Sequence, residues 1–308
     1  MKSITQASRR NFLQELQYNN FFYLMIIPGL VFLVIFNYIP MYGLVMAFQR
    51  FNPGLGFNRS PWIGLDNYRF LFNLPDMERV IRNTLIISVS KIIIRQVVAI
   101  FFAIFLNEVR ILVVKRTIQT ISYLPHFLSW VILGGVFITL LSRTGPVNQL
   151  LGALGMDPIY FFGDNTWFRP TIIATDVWQD FGFSSIVYLA ALTGIDPGLY
   201  ESAVIDGAKR HQMVWHITIP GIRATIVLLA VLSLGSILNA GFDQILVFYN
   251  PAVYETGDII DTWIYRYGLQ QARYSLAAAV GLFKSVIGCF LVFLSNYLAR
   301  RYANYQVF

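Results

Sequence analysis

FFYLMIIPGLVFLVIFNYIPMYGLVMAF, from Phe21 to Phe48, is the stretch on which the fold class turns. It lies within a longer run, Leu16 to Gln49, that carries no charged side chain. A helix needs about 20 apolar residues to cross the hydrocarbon core of a bilayer, and this one exceeds that. A cleavable signal sequence has an apolar region of about 7–15 residues followed by a small-residue site. This run is longer and has no such site, so it reads as a signal anchor.

The rest of the chain agrees. Of its 308 residues only 13% are charged, about half the usual share of ~25%. A soluble domain of this length could not cover its surface with so few charges. The 26 Phe, 17 Tyr and 6 Trp exclude a disordered chain. The net charge of +7 comes from scattered Arg and Lys that form no basic helix or patch, so no nucleic-acid partner is expected. Cationic loops beside membrane spans give the same sum. Cys289 is the single cysteine, which excludes a disulfide framework. His126, His211 and His216 show no metal-ligand spacing, and no metal site is expected.

Five further segments, at about 83–106, 118–141, 171–192, 222–246 and 276–298, join 21–48 to make six spans and an all-α transmembrane chain. Residues 1–308 form one membrane domain, without an internal repeat or a separate soluble unit. The pairs Arg9/Arg10, Lys115/Arg116, Lys209/Arg210 and Arg300/Arg301 fall on one side of this arrangement, which puts both termini in the cytoplasm. Pro125 is expected to kink or start the third span. In the first outer loop Asn52-Pro-Gly is a turn signal. The segment Pro61 to Phe72 after it reads as a short amphipathic helix at the membrane interface.

The loop at 193–221 is the most informative part of the chain. It reads DPGLYESAVIDGAKRHQMVWHITIP from Asp196 to Pro220. Asp196 and Pro197 are a helix start, Gly207 interrupts the helix, and Lys209 to Trp215 resumes it. Taken alone, this is two short helices at an angle around a glycine, either a solvated linker or a docking protrusion.

The residues Glu201-Ser202-Ala203, Asp206-Gly207-Ala208 and Ile217-Thr-Ile-Pro220 resemble the EAA loop of ABC-importer permeases, a pattern of EAA, three residues, G, nine residues and I-x-L-P. Ser202 replaces the second Ala and Ile219 replaces Leu. The segments Tyr38-Ile-Pro-Met-Tyr-Gly, Pro61-Trp-Ile-Gly-Leu-Asp-Asn, Tyr123 to Trp130, Tyr249-Asn-Pro and Val280 to Ser285 are similar to the oligosaccharide and polysaccharide subgroup, relatives of the maltose transporter's membrane subunits. The resemblance implies the six-helix type I importer permease fold in a bacterial cell membrane. It also implies that Glu201, Ser202, Ala203, Asp206, Gly207, Ala208, Ile217 and Pro220 couple to a cytoplasmic ATPase. The implied partners are a second related permease, two ATPase subunits and an extracytoplasmic solute-binding lipoprotein, with an oligosaccharide as cargo. The chain has no GxxxxGK[ST] loop to cradle phosphates. It is therefore expected to hold no cofactor and to be no enzyme, leaving ATP and Mg to the partner ATPase.

Polar residues inside spans are candidates for the substrate pathway. Trp178 and Gln179 in the fourth span, and Asn239, Asp243 and Gln244 in the fifth, suit a sugar through hydroxyl hydrogen bonds and ring stacking. The structural alternative is pairing: Lys91 and Arg95 cannot stay unpaired in hydrocarbon, and Asp176, Asp180 or Asp243 could neutralise them. Lys284 raises the same question, and His126 with Trp130 reads as aromatic packing. Two rivals to the importer are an ion-coupled carrier or channel, which would transport alone, and a membrane scaffold, which would move nothing.

Overall fold

The structure, a computed structural model, describes residues 20–303. Arg9 and Arg10, used above for orientation, lie outside the described residues. Among those described there is no β-strand, only an isolated antiparallel bridge between Gln49 and Trp62.

Helix α1 (Asn20–Leu33) runs on through a π turn at Val34–Tyr38 and a 3-10 stretch at Ile39–Phe48, so Phe21–Phe48 is one rod of 28 residues. Its most apolar window is not buried against any other part of the chain. The amphipathic helix expected from Pro61 starts only at Asp66 (α2, Asp66–Phe72). Trp62 is held instead in the bridge to Gln49, stacked on Phe48 at 5.6 Å.

Helix α3 (Pro75–Glu108, 34 residues) begins well before the expected second span. Pro75 occupies the first turn, where its missing N–H costs nothing, and Asp76 and Glu78 complement the helix dipole there. This helix is the axle of the fold. Met77 and Val80 belong to one apolar cluster with Trp263 and Val280, Ile87 to a second with Phe168 and Phe248, and Ala99, Ala103 and Ile104 to a third with Tyr188 and Leu192. Lys91 and Arg95 lie on α3 between the second and third clusters.

The third expected span, 118–141, is broken. Helix α4 (Leu112–Tyr123) passes into a 3-10 turn at Leu124–Phe127, and α5 (Trp130–Leu140) leaves at 104° to it. Pro125 opens the 3-10 turn, and Ser129 caps α5 by accepting the Ile132 amide. His126 and Trp130 therefore do not share a helical face, contrary to the packing expected of an i, i+4 pair.

After α6 (Pro146–Ala153), α7 (Asn165–Leu192) is capped by Asp164 and packs along α3. It is 28 residues long, but Arg169, Asp176 and Asp180 keep it out of the apolar class.

The loop helix α8 (Pro197–Ile205) follows, then a helical stretch at Arg210–Gly221 bent by 58° from α9 (Arg223–Leu234). The fifth expected span, 222–246, is also interrupted: α9 stops at Leu234, and α10 (Phe242–Phe248) restarts after Gly241 at φ +89°. The last helix, α11 (Tyr274–Ala303), packs on α9 and on the 3-10 end of the first span. Among the described residues three helices are long and apolar enough to cross a membrane, or up to five if each bent pair is one span.

Candidate functional site: a docking loop and a charged cavity

The loop after α7 is built by local rules. Asp196 Oδ1 accepts the Gly198 amide at 2.9 Å with Pro197 behind it, which starts α8. Its other end is a Schellman closure: the Ala208 amide bonds the Ala203 carbonyl at 2.9 Å, and the Gly207 amide bonds Val204 at 3.1 Å. That closure requires a left-handed residue, and Gly207 supplies it at φ +77°. The returning leg is tied to α8 by the Tyr200 hydroxyl and Thr218 Oγ1, 3.0 Å apart.

This closure sets what the loop presents. Glu201, Ser202 and Asp206 are exposed, as are Leu199, Val204, Ile205 and Trp215, Ile205 to 87%. Ala203, Ala208 and Ile217 are half-buried, and Pro220 is exposed at the return towards α9. No heavy atom lies within 4 Å of a Cβ built on Gly207, so the chain itself does not crowd that residue. The loop thus exposes four large apolar side chains and the Glu201 carboxylate, the composition of a surface that meets another protein.

The second region is a line of charges between α3 and α7. Lys91 Nζ lies 3.1 Å from Asp176 Oδ1 and donates to the Ala240 carbonyl at 2.8 Å and to Gln244 Oε1. Arg95 reaches Asp180 Oδ2 at 3.1 Å and Asp176 Oδ2 at 3.7 Å. Asp180 also accepts from Ser184 at 2.5 Å and lies 2.7 Å from His126 Nδ1. The His126 ring stacks on Phe183 at 3.9 Å. The structural alternative thus holds for Lys91, Arg95, Asp176 and Asp180, while Asp243 stays outside the network. Lys284 pairs with Asp261 at 2.6 Å.

Beside this network a cavity of about 440 Å³ opens between α3, α7 and α9, lined by Arg95, Gln96, Phe183, Ser184, Tyr188, Ser233 and Ser236 among others. Its volume is within the ~300–1,000 Å³ typical of small-molecule sites.

The pathway residues expected from sequence lie elsewhere. Gln244 is a correction: it is fully buried, and its amide is spent on Lys91, the Ile172 carbonyl at 2.8 Å and Thr175 Oγ1 at 2.9 Å. Trp178 lines a separate, apolar pocket of about 410 Å³ with Phe137 and Trp167. Gln179 donates to the Leu128 carbonyl at 3.0 Å. Asn239 and Asp243 are exposed on either side of Gly241 and do not line the charged cavity. The helix ends at Leu234 and restarts at Phe242, so Ser236, Asn239 and Asp243 do not form one helical stripe. Ser184 and Tyr188, which line the cavity and are not among the residues expected from sequence, follow Asp180 at four-residue steps, the spacing of one helix face.

At the opposite end from the docking loop, residues 247–275 are pinned to the bundle. Arg266 donates to both oxygens of the fully buried Asp258, at 2.6 and 3.2 Å. Burial alone would lower the Arg266 guanidinium, but these hydrogen bonds and the Asp258 charge outweigh it and raise it above its ordinary value. Burial and neighbouring Tyr254 push the Tyr249 hydroxyl to about 12.

A bent-helix bundle with an exposed glycine-closed loop at one end and a charged cavity within defines a membrane permease of the ABC-importer class. The chain belongs to the family of binding-protein-dependent transport system inner membrane components, whose sequence profile matches residues 96–304. It is 40% identical over 306 residues to Protein LplB of Bacillus subtilis (strain 168), covering 99% of this chain and 96% of that one. It is also 40% identical over 304 residues to the polygalacturonan/rhamnogalacturonan transport system permease protein YteP of the same organism, covering 98% and 95%. Among solved structures, a chain of a bacterial ABC transporter involved in import of the acidic polysaccharide alginate superimposes with a TM-score of 0.86 at 42% identity, covering 95% of this chain and 99% of that one. The chain has the type I importer permease fold.

Proposed function

We propose that this chain is one of two related membrane subunits of an ATP-driven importer of acidic oligosaccharides. Its loop at 193–221 docks on a cytoplasmic ATPase, both termini are cytoplasmic, and a solute-binding protein delivers the sugar to the opposite face. The ATPase pair binds ATP and Mg, and this chain does no chemistry on the cargo. Closure of the ATPases moves the docking loop, and α9, joined to it through the 58° bend, carries the motion to the cavity. The single observation that carries the reading is the Gly207-closed loop, which exposes Leu199, Val204, Ile205 and Trp215 together with Glu201. The acidic class of cargo is supported by the named substrates of YteP and of the alginate importer, both at 40% identity or above.

The test is to purify the tagged chain from native membranes in mild detergent and identify what accompanies it. A second permease and an ATPase should co-purify, with the ATPase lost on Gly207→Asp, which puts a carboxylate where the partner docks. A chain that emerges alone and moves solute down an ion gradient sinks the proposal in favour of a carrier.

A further inference from the structure

Of the two cations in the network between α3 and α7, Lys91 and Arg95, only one is open to the cavity. The Lys91 side chain is 2% exposed, with its three protons committed to Asp176, Ala240 and Gln244. The Arg95 side chain is 33% exposed and lines the cavity. Its carboxylate partners do not depend on it. Asp176 keeps Lys91 at 3.1 Å, and Asp180 keeps His126 at 2.7 Å and Ser184 at 2.5 Å. Withdrawing Arg95 therefore leaves neither acid without a hydrogen-bond donor, which lessens the penalty for breaking a buried pair. A guanidinium also offers several N–H donors in a plane, so it can take a carboxylate bidentately. The Arg95–Asp176 contact, at 3.7 Å, is long for a hydrogen bond, and Asp176 Oδ2 has no hydrogen-bond partner.

We infer that Arg95 is the specificity-determining residue for the charge of the cargo, and that a uronate carboxylate entering the cavity takes Arg95 in exchange for Asp180. The exchange rests on the acidic-oligosaccharide reading above and assigns it to one side chain. Asp180 stands in for the cargo's carboxylate while the cavity is empty. A neutral sugar cannot displace it, because its hydroxyls leave a guanidinium–carboxylate pair better satisfied than any contact they offer. Gln96, Ser233 and Ser236 add uncharged polar contacts around the same space.

The experiment measures equilibrium binding of a radiolabelled uronate trisaccharide, and of the same trisaccharide with its carboxyls reduced to alcohols, to the detergent-purified assembly without its binding protein. Arg95→Gln should weaken uronate binding at least about 10-fold and leave the reduced sugar within about twofold, while Arg95→Lys keeps part of the preference. Asp180→Asn removes the competitor but can still bond His126 and Ser184, so uronate binding should tighten about 3–10-fold. A merely structural Arg95–Asp180 pair predicts the reverse: both variants weaken both sugars alike. That outcome, or a wild type binding both sugars equally, overturns the role of Arg95 and leaves the importer reading standing. Binding of neither sugar by the wild type overturns that reading too.

Discussion

Replacing Gly207 by alanine adds one methyl group at φ +77°. The new Cβ meets nothing within 4 Å, so inside the chain the whole cost is the left-handed backbone, about 1–2 kcal/mol for an L-residue. That shifts the balance between the closed and the opened loop by a factor of about 5–30. The loop cannot absorb it: its closure rests on two backbone bonds and the Tyr200–Thr218 contact, and a short exposed segment with few buried groups is at the low end of local stability. Asparagine visits the left-handed region far more readily, so Gly207→Asn restores the backbone while keeping a side chain. The assay is ATP hydrolysis by the reconstituted assembly with sugar-loaded binding protein, beside retention of the ATPase on the tagged chain. If the bend is what matters, the alanine variant loses coupling several-fold and the asparagine variant keeps most of it. If the partner approaches the bare Cα, both variants lose it. Wild-type coupling in the alanine variant would refute the assignment of Gly207 to the bend.

Lys91→Met strips Asp176 of its 3.1 Å partner and leaves the Ala240 carbonyl unpaired, so it should cost about 3–5 kcal/mol, read as a lowered Tm in detergent. Lys91→Met/Asp176→Asn should recover most of that, and a single-variant cost under about 1 kcal/mol contradicts the pairing. Asp196→Ala removes the α8 cap and should destabilise the docking loop by about 1 kcal/mol, seen as faster amide exchange at Gly198 and Leu199 with α7 unchanged. Asp164 is held below the usual carboxylate range by the Thr166 amide, 2.6 Å away. Its cap on α7 is therefore complete above the ordinary aspartate pKa and is lost as pH falls through the lower folded value. A protection factor at Thr166, corrected for the intrinsic exchange rate, that already falls as the pH is lowered from about 7 to about 5 goes against this.

The local geometry of the loop at 193–221 is almost wholly legible in its residue pattern, because each of its features is local. Asp196-Pro197 is a cap, Gly207 is a left-handed closure, and both act through hydrogen bonds to residues within five positions. The intramembrane region was half legible. Lys91, Arg95, Asp176 and Asp180 announce a pairing, since four ionisable groups on two apolar segments have few other outcomes. Which uncharged residues face the cavity is harder to read, for a physical reason. A stripe of Ser236, Asn239 and Asp243, followed by Gln244, needs a continuous helix from 222 to 246, and the chain leaves the helix after Leu234 and restarts it at Phe242 beyond Gly241. Gln244 then points at Lys91 and not at a ligand. Trp178 stands two residues from both Asp176 and Asp180, which in a helix puts it on another face, and it lines the apolar pocket instead of the charged cavity.

The breaks and the charges are one feature. A helix interrupted inside a bilayer leaves carbonyls without partners, and such backbone persists only where something in the protein satisfies it. At the interruption between α9 and α10 that group is Lys91, whose ammonium donates to the freed Ala240 carbonyl. Gly241 serves both sides of the arrangement: it takes the φ of +89° that the turn needs, and a Cβ there would come within 2.8 Å of Lys91 Nζ. The interruption between α4 and α5 repeats the logic, since it places His126 against Asp180 at 2.7 Å. Each broken span thus delivers one group to the same network on α3 and α7. In the mechanism proposed above, movement of α10 relative to α3 acts on the Lys91 end through Gln244, and α9 and a ligand in the cavity act on the Arg95 end. Asp176, which touches both cations, is where the two meet.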